Sequence, residues 1–244
     1  MAVSQPAGLL LLIVVIAARW EAPPGGWWPL WAGLAGLGGA LGIGALYRAL
    51  AIGSMGIVAP ITALLPLIPL SVGLGRGERP TTIQLAGIAA AIVGAVFTGL
   101  EPGSSRFRRR AAVGAGLALV AAVSFGSSQV GLEAAANQDP YWATLVLRIV
   151  STAAIAVVLL RVRSGRPGRS WPVLAVVGVL DTGATVLFAV ATTKGLFSVV
   201  AVLGAMYPVL VAILARLFLG ERLSLVQRGG ALAAIGGAAA ISAG

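Results

Sequence analysis

The chain has 244 residues, of which 59% are hydrophobic and 10% are charged, and its mean hydropathy is +1.00. Soluble domains carry about a quarter charged residues, so this composition predicts a protein that lies in a lipid bilayer. Because the chain lacks cysteine and histidine, disulfides, thiolate chemistry and imidazole bases are excluded. We therefore predict no catalytic residues, no metal site and no cofactor.

Nine apolar segments are predicted to cross the membrane as helices. In lipid, backbone polar groups must be paired within a helix or a closed barrel, and these segments lack the alternating pattern of barrel strands. A crossing helix needs about 20 residues, and all of the segments except the first approach this length. The predicted spans are residues 4–19, 28–51, 56–75, 82–100, 111–133, 141–162, 171–193, 197–219 and 226–243.

The chain contains an internal repeat in which the same residues return after 143 positions, as from Gly77 to Gly220. Tandem bundles of apolar helices are typical of membrane transporters. The repeated residues are Trp28-Pro29 with Trp171-Pro172, Gly77-Glu78-Arg79 with Gly220-Glu221-Arg222, and Gln84, Gly87 and Gly94 with Gln227, Gly230 and Gly237.

The repeat predicts a first domain at 1–100, a basic linker at 101–110 and a second domain at 111–244. The second domain has five predicted spans and the first has four, because the partner of 111–133 would precede Met1. Either the start codon is placed too late or this is a nine-helix variant. With five spans in each copy, the two repeats would have inverted orientations in the membrane.

The number of basic residues in the loops on each side of the membrane predicts the orientation of the chain. Ten basic residues fall in loops on the side of residue 1 and four fall on the other side, which places the first side in the cytoplasm and the C-terminus outside. The same distribution explains the net charge of +10 without nucleic acid. The ten are Arg106, Arg108, Arg109, Arg110, Arg161, Arg163, Arg166, Arg169, Arg222 and Arg228, and the four are Arg19, Arg76, Arg79 and Lys194.

Two stretches of the chain resemble EamA-type proteins of the drug/metabolite transporter superfamily. Residues 45–96 and 205–241 each carry a proline within a span, then Gly-Glu-Arg, then Gln-x-x-Gly at the start of the next helix. The resemblance implies an all-α membrane protein with ten helices in two inverted repeats. It also implies transport of small metabolites, amino acids or drugs, often outward.

We therefore predict a secondary transporter that exports small organic solutes across the cytoplasmic membrane by alternating access. Its predicted partners are the bilayer and a small-molecule substrate, and a homodimer is left open. Seven scattered carboxylates disfavour a membrane enzyme. The alternative is a non-transporting subunit or half-transporter that pairs with another chain.

Asp181 and Arg148 are the leading candidates for substrate binding or coupling. Each lies deep within a predicted span, and a carboxylate at such depth must face a cavity, bind a cation, pair with a base or stay protonated. Because their depths are similar on consecutive spans, we expect them to lie close together. An ion pair that only locks the helices is the alternative.

Several other residues are weaker candidates. Arg48 lies one turn from a span end, where it could also reach the interface. Pro66 and Pro208 lie at nearly equivalent points of the two repeats and free backbone carbonyls, and Tyr47 and Tyr207 are the neighbouring aromatic residues.

Glu133 and Lys194 are gate-pair candidates at the ends of their spans. A solvated pair of loop charges is the alternative.

The Gly-Glu-Arg motifs are predicted to be structural. We expect the glycine to end one helix in the left-handed conformation and the glutamate to cap the helix that follows.

Overall fold

The computed structural model describes residues 4–53, 55–99, 108–161, 171–207, 210, 214 and 224–243. Within these ranges every regular element is an α-helix, which confirms the all-α prediction. The helices are α1 (Ser4–Arg19), α2 (Trp28–Ile52), α3 (Met55–Thr62), α4 (Leu67–Gly75), α5 (Thr82–Gly99), α6 (Arg108–Ala136), α7 (Pro140–Arg161), α8 (Trp171–Thr192), α9 (Phe197–Gly204) and α10 (Leu225–Ala243).

Five helical stretches are long and apolar enough to cross a membrane, and three shorter apolar helices accompany them. Together they fall on eight of the nine predicted spans. The ninth predicted span, 197–219, begins with α9, and most of its residues after α9 lie outside the described ranges. The long stretches are Trp28–Ile52, Ile57–Gly75, Ala112–Ala136, Pro140–Val158 and Trp171–Thr192.

The predicted span 56–75 is broken in the middle. α3 ends at Thr62, residues 63–66 form turns, and α4 begins after Pro66. Proline has no backbone N–H, so it cannot continue the hydrogen-bond ladder of the preceding helix. Just before the break, the Thr62 hydroxyl donates its hydrogen back to α3, where the carbonyl oxygens of Val58 and Ala59 both lie at 3.0 Å.

In the first Gly-Glu-Arg motif, the glycine ends α4 as predicted, but the prediction for the glutamate was wrong. Gly77 has φ +91° and donates its N–H to Leu74, while the Glu78 N–H donates to Gly73, as in a Schellman motif. The Glu78 carboxylate does not cap the following helix α5. It accepts the N–H groups of Phe197 and Ser198, at 2.7 and 3.0 Å, and so caps α9.

The starts of α5 and α10 are capped in the same way. Thr81 and Gln84 bond each other, with backbone N–H to side-chain oxygen distances of 2.9 and 3.2 Å. Ser224 and Gln227 repeat the arrangement at 3.0 and 3.2 Å. This reciprocal pairing is the capping box, which explains why glutamine recurs at both positions.

α5 and α10 are equivalent helices of the two repeats, and they pack closely against each other. A Cβ on Gly87 would lie 2.7 Å from the Gly237 carbonyl oxygen, and one on Gly94 would lie 2.5 Å from that of Gly230. An early residue of each helix thus meets a late residue of the other, so the two helices run antiparallel. Glycine at these positions permits the close approach of the backbones.

The chain divides into two compact units, and each unit takes segments from both repeats. The first comprises Met1–Ala40 and Ser127–Gly195, and the second comprises Leu41–Gly126 and Leu196–Gly244. The core of the first unit consists mainly of alanines beside Trp28, Leu132 and Leu147. Within the second unit, Ile88 and Ile241 pack with Val202.

Candidate functional site

The best-formed polar site lies in the first unit, on α1, α7 and α8. α1 and α8 approach closely because both carry glycine at their contact. A Cβ on Gly8 would collide with the Thr182 side chain, and one on Gly178 would collide with the Ser4 carbonyl. α1 also packs against α7. This packing brings Gln5 of α1 into contact with the polar residues of α7.

Arg148 of α7 and Asp181 of α8 form an ion pair at this site, as their depths predicted. The Arg148 Nη2 atom lies 2.7 Å from Asp181 Oδ2. At 1.5 Å per residue, Arg148 lies about 12 Å from the start of α7 and Asp181 about 15 Å from the start of α8. The Arg148 side chain is 8% exposed and the Asp181 side chain is 61% exposed. The carboxylate is therefore the reachable member of the pair.

Polar neighbours hold the Arg148 guanidinium in place. Its Nη1 donates to Gln5 Oε1 at 3.3 Å, and its Nη2 donates to Thr185 Oγ1 at 2.8 Å. The Thr185 hydroxyl in turn donates to the Asp181 carbonyl at 2.8 Å. Among the described residues, nothing accepts a hydrogen bond from the buried Arg148 Nε. A buried N–H without an acceptor is costly, so the hydrogen-bonding capacity of this donor is unmet among the described residues.

A second group of candidates lies in the other unit, near the break between α3 and α4. The Tyr207 hydroxyl lies 3.5 Å from Thr62 Oγ1, at the end of α3. Beside Pro66 is an apolar recess that is too narrow to admit a water molecule. It is lined by Ala63, Pro66, Ala91, Ile92, Ala95, Val202, Ala205 and Met206. In this structure the recess therefore has no space for a solute.

Comparison with known proteins decides the family. The family model described as "EamA-like transporter family" matches residues 4–100 and 112–243. The chain belongs to the EamA-like transporter family. It is therefore a multi-pass membrane protein with repeated halves, in a family of small-solute transporters.

The fold of this EamA-like chain is shared by a protein of known crystal structure, whose title reads only "Crystal structure of protein". The TM-score is 0.82 at 21% sequence identity, and the match covers 99% of this chain and 86% of that chain. At this identity the likeness shows the fold alone. No curated protein matches the chain.

The other site residues predicted for this EamA-like chain lie on several elements. Tyr47 and Arg48 lie on α2 and are both exposed. Pro208 lies outside the described residues. Glu133 is buried on α6, where its carboxylate accepts a hydrogen bond from Asn137 at 3.1 Å, and Lys194 is exposed in the turn after α8. Substrate contact by the first three and gating by the last two stay predictions.

Gln5 and Thr185 were not predicted as site residues. The signal that could have identified Gln5 is the repeat itself, since Gln5 and Arg148 are separated by the repeat offset of 143 residues. Thr185 lies one turn after Asp181, where its side chain shares a face of α8 with the carboxylate. No three metal-ligating side chains cluster in the described part of the chain.

A cluster of charges joins the end of α1 to the start of α7. Arg19 contacts both carboxylate oxygens of Asp139, at 3.5 and 3.1 Å, and its guanidinium lies 4.1 Å from the centre of the Tyr141 ring. Asp139 also accepts the N–H groups of Tyr141 and Trp142 and so caps α7. We interpret this cluster as a structural clamp, because its carboxylate is already fully engaged.

Proposed function

We propose that this protein is a secondary transporter that moves small organic solutes past the Arg148–Asp181 pair. The observation that carries the proposal is a mostly exposed carboxylate near the middle of an apolar membrane helix. A short carboxylate at that depth cannot reach the interface, and contact with lipid would cost at least a few kcal/mol. Water or a polar solute is therefore the expected neighbour of Asp181.

We propose that the two repeats are inverted and that transport proceeds by alternating access. The antiparallel packing of α5 against α10 supports inversion, because equivalent helices of inverted repeats run in opposite directions. Gln5 near the start of α1 contacts Arg148, whereas Arg19 at its end contacts Asp139 just before α7, so the equivalent helices α1 and α7 also run antiparallel. Inverted repeats commonly alternate around a site near the bilayer midplane.

We further propose the cytoplasmic membrane as its location and export as its direction, as the family resemblance implies. A secondary transporter of this kind takes its energy from the solute gradient or from ion exchange. The homodimer stays a prediction.

Untargeted profiling of the medium tests the function and identifies the solute. Cells that produce the protein are compared with cells that produce Asp181→Asn and with cells that carry an empty vector. We expect at least one small solute to accumulate outside the cells only with the native chain. A medium identical in all three cultures, together with unchanged uptake of the same solutes, would contradict the proposed function.

A further inference from the structure

We propose that the site recognises its solute through a carboxylate group, which Arg148 binds along the edge formed by Nε and Nη2. This inference rests on the proposed transport function and adds the chemical class of the substrate. The carboxylate is the shared chemistry, and the rest of the solute is left to the test.

On the edge of the Arg148 guanidinium formed by Nε and Nη2, only Nη2 has hydrogen-bond acceptors among the described residues. Nη1 donates to Gln5, and Nη2 donates to Thr185 and faces Asp181 Oδ2. Nε has no acceptor among the described residues, although it is buried. The Nε and Nη2 hydrogens are parallel and match the two oxygens of a planar carboxylate. Asp181 reaches only one of these two atoms, so a free carboxylate could bind more completely.

The two members of the ion pair differ in exposure, and this difference indicates the order in which an entering solute meets them. Asp181 is 61% exposed and covers an arginine that is 8% exposed. An incoming carboxylate would therefore replace Asp181 at Nη2 and would gain the additional bond to Nε. On release, Asp181 returns to Arg148 and displaces the solute.

Charge balance favours a carboxylate over a solute that carries only an amine. An organic cation bound to Asp181 would leave Arg148 unpaired, and arginine cannot lose its proton. When a carboxylate binds Arg148, the released Asp181 can pair with an ammonium group of the same solute or take up a proton from water. Both alternatives keep the site neutral in the membrane interior.

The test measures binding of four matched probes to the purified full-length chain in detergent by isothermal titration. The probes are 4-methylpentanoate, its neutral amide 4-methylpentanamide, the amine 4-methylpentylamine, and leucine. We expect the two carboxylate probes to bind and the amide and the amine to bind at least tenfold more weakly. Tighter binding of leucine than of 4-methylpentanoate would assign the ammonium group as the partner of Asp181, and equal binding would assign proton uptake.

Two variants separate recognition from a purely structural ion pair. Arg148→Lys keeps the positive charge but loses the parallel donors, and we expect it to weaken carboxylate binding at least tenfold. Asp181→Asn removes the competing carboxylate, and we expect it to tighten the binding of 4-methylpentanoate severalfold, which a structural role would not do. Arg79→Lys is the matched control, because Arg79 is exposed in the loop after α4.

The inference is overturned if neither carboxylate probe binds, if the amide or the amine binds as well as the carboxylates, or if Asp181→Asn leaves the affinity for 4-methylpentanoate unchanged. Failure of the proposed function is a different result, in which the profiled medium shows no transported solute. A transported solute that lacks a carboxylate would overturn the inference and leave the transport function intact.

Discussion

Gln5 and Arg148 occupy equivalent positions in the two repeats, and the Arg148 guanidinium donates a hydrogen bond to the Gln5 side chain at 3.3 Å. The position has therefore diverged to an amide in one copy and a cation in the other. The position equivalent to Asp181 is Gly38, so the acid is also one-sided. Equivalent helices thus meet at a site whose charges come entirely from the second repeat.

Gln5→Ala is expected to destabilise the first unit, because it removes an acceptor from a buried guanidinium. Hydrogen bonds to charged groups contribute about 1.5–3 kcal/mol. For a chain of this size we expect the melting temperature in detergent to fall by about 5 °C. Gln138→Ala is the control, since Gln138 is exposed after α6. Equal melting temperatures for the two variants would show that the Gln5 bond contributes nothing.

The Thr185 hydroxyl is expected to hold the Arg148 guanidinium against α8, because it bonds both Arg148 and the Asp181 carbonyl. Thr185→Val keeps the shape but removes the acceptor for Nη2 and the donor to the Asp181 carbonyl. We expect solute transport to fall severalfold and the free energy of unfolding to fall by about 1–2 kcal/mol. Thr185→Ser retains the hydroxyl and should transport nearly normally. If serine is as impaired as valine, the methyl group matters and the hydroxyl does not.

Glu78→Ala is expected to loosen the start of α9. The carboxylate accepts two N–H groups at a helix start, where the helix dipole also favours a negative charge. We expect a loss of about 2 kcal/mol and faster amide exchange at Phe197 and Ser198. Glu21→Ala is the control, because Glu21 is an exposed carboxylate paired with Arg19. Unchanged exchange at both amides would exclude the cap.

Two adjacent glycines of α10 provide a matched test of the α5–α10 contact. A Cβ on Gly237 would press against the backbone of Gly87 and Ala91, whereas one on Gly236 meets nothing within 4 Å among the described residues. We expect Gly237→Leu to destabilise the protein by at least about 2 kcal/mol. Gly236→Leu should be neutral or slightly stabilising, since leucine favours a helix more than glycine does. Thermal unfolding in detergent distinguishes the two, and equal stability would contradict the packing.

Much of the fold could be predicted from the sequence because lipid permits few alternatives. Apolar length placed eight of the nine predicted spans, and glutamine at 84 and 227 marked helix starts that both form capping boxes. The bond from Glu78 to α9 could not be predicted, because the partners are about 120 positions apart and capping rules describe only neighbouring residues. Pro66 indicated a break in its span, but not that the break would extend over residues 63–66.

The charged centre of the site could also be predicted. The contacts of its supporting residues could not, although the repeat offset marks Gln5 as the equivalent of Arg148. Depth on consecutive helices was enough to expect Arg148 near Asp181, since buried charges need partners. Gln5 lies near the start of a short apolar segment, where a polar residue is unremarkable in the sequence. Its contact with Arg148 depends on the close approach of α1 to α7 and α8, which no local pattern reports.

The transport rate of Asp181→Asn tests the central claim most directly. The protein is reconstituted in proteoliposomes, and release of the solute identified by profiling is measured at saturation, with Glu21→Gln as the control. Thermal unfolding in detergent checks that both variants are folded. Because Asp181 must displace the solute from Arg148, we predict that maximal release falls at least tenfold in Asp181→Asn and stays near the native rate in Glu21→Gln. Native release by folded Asp181→Asn would contradict transport through this site.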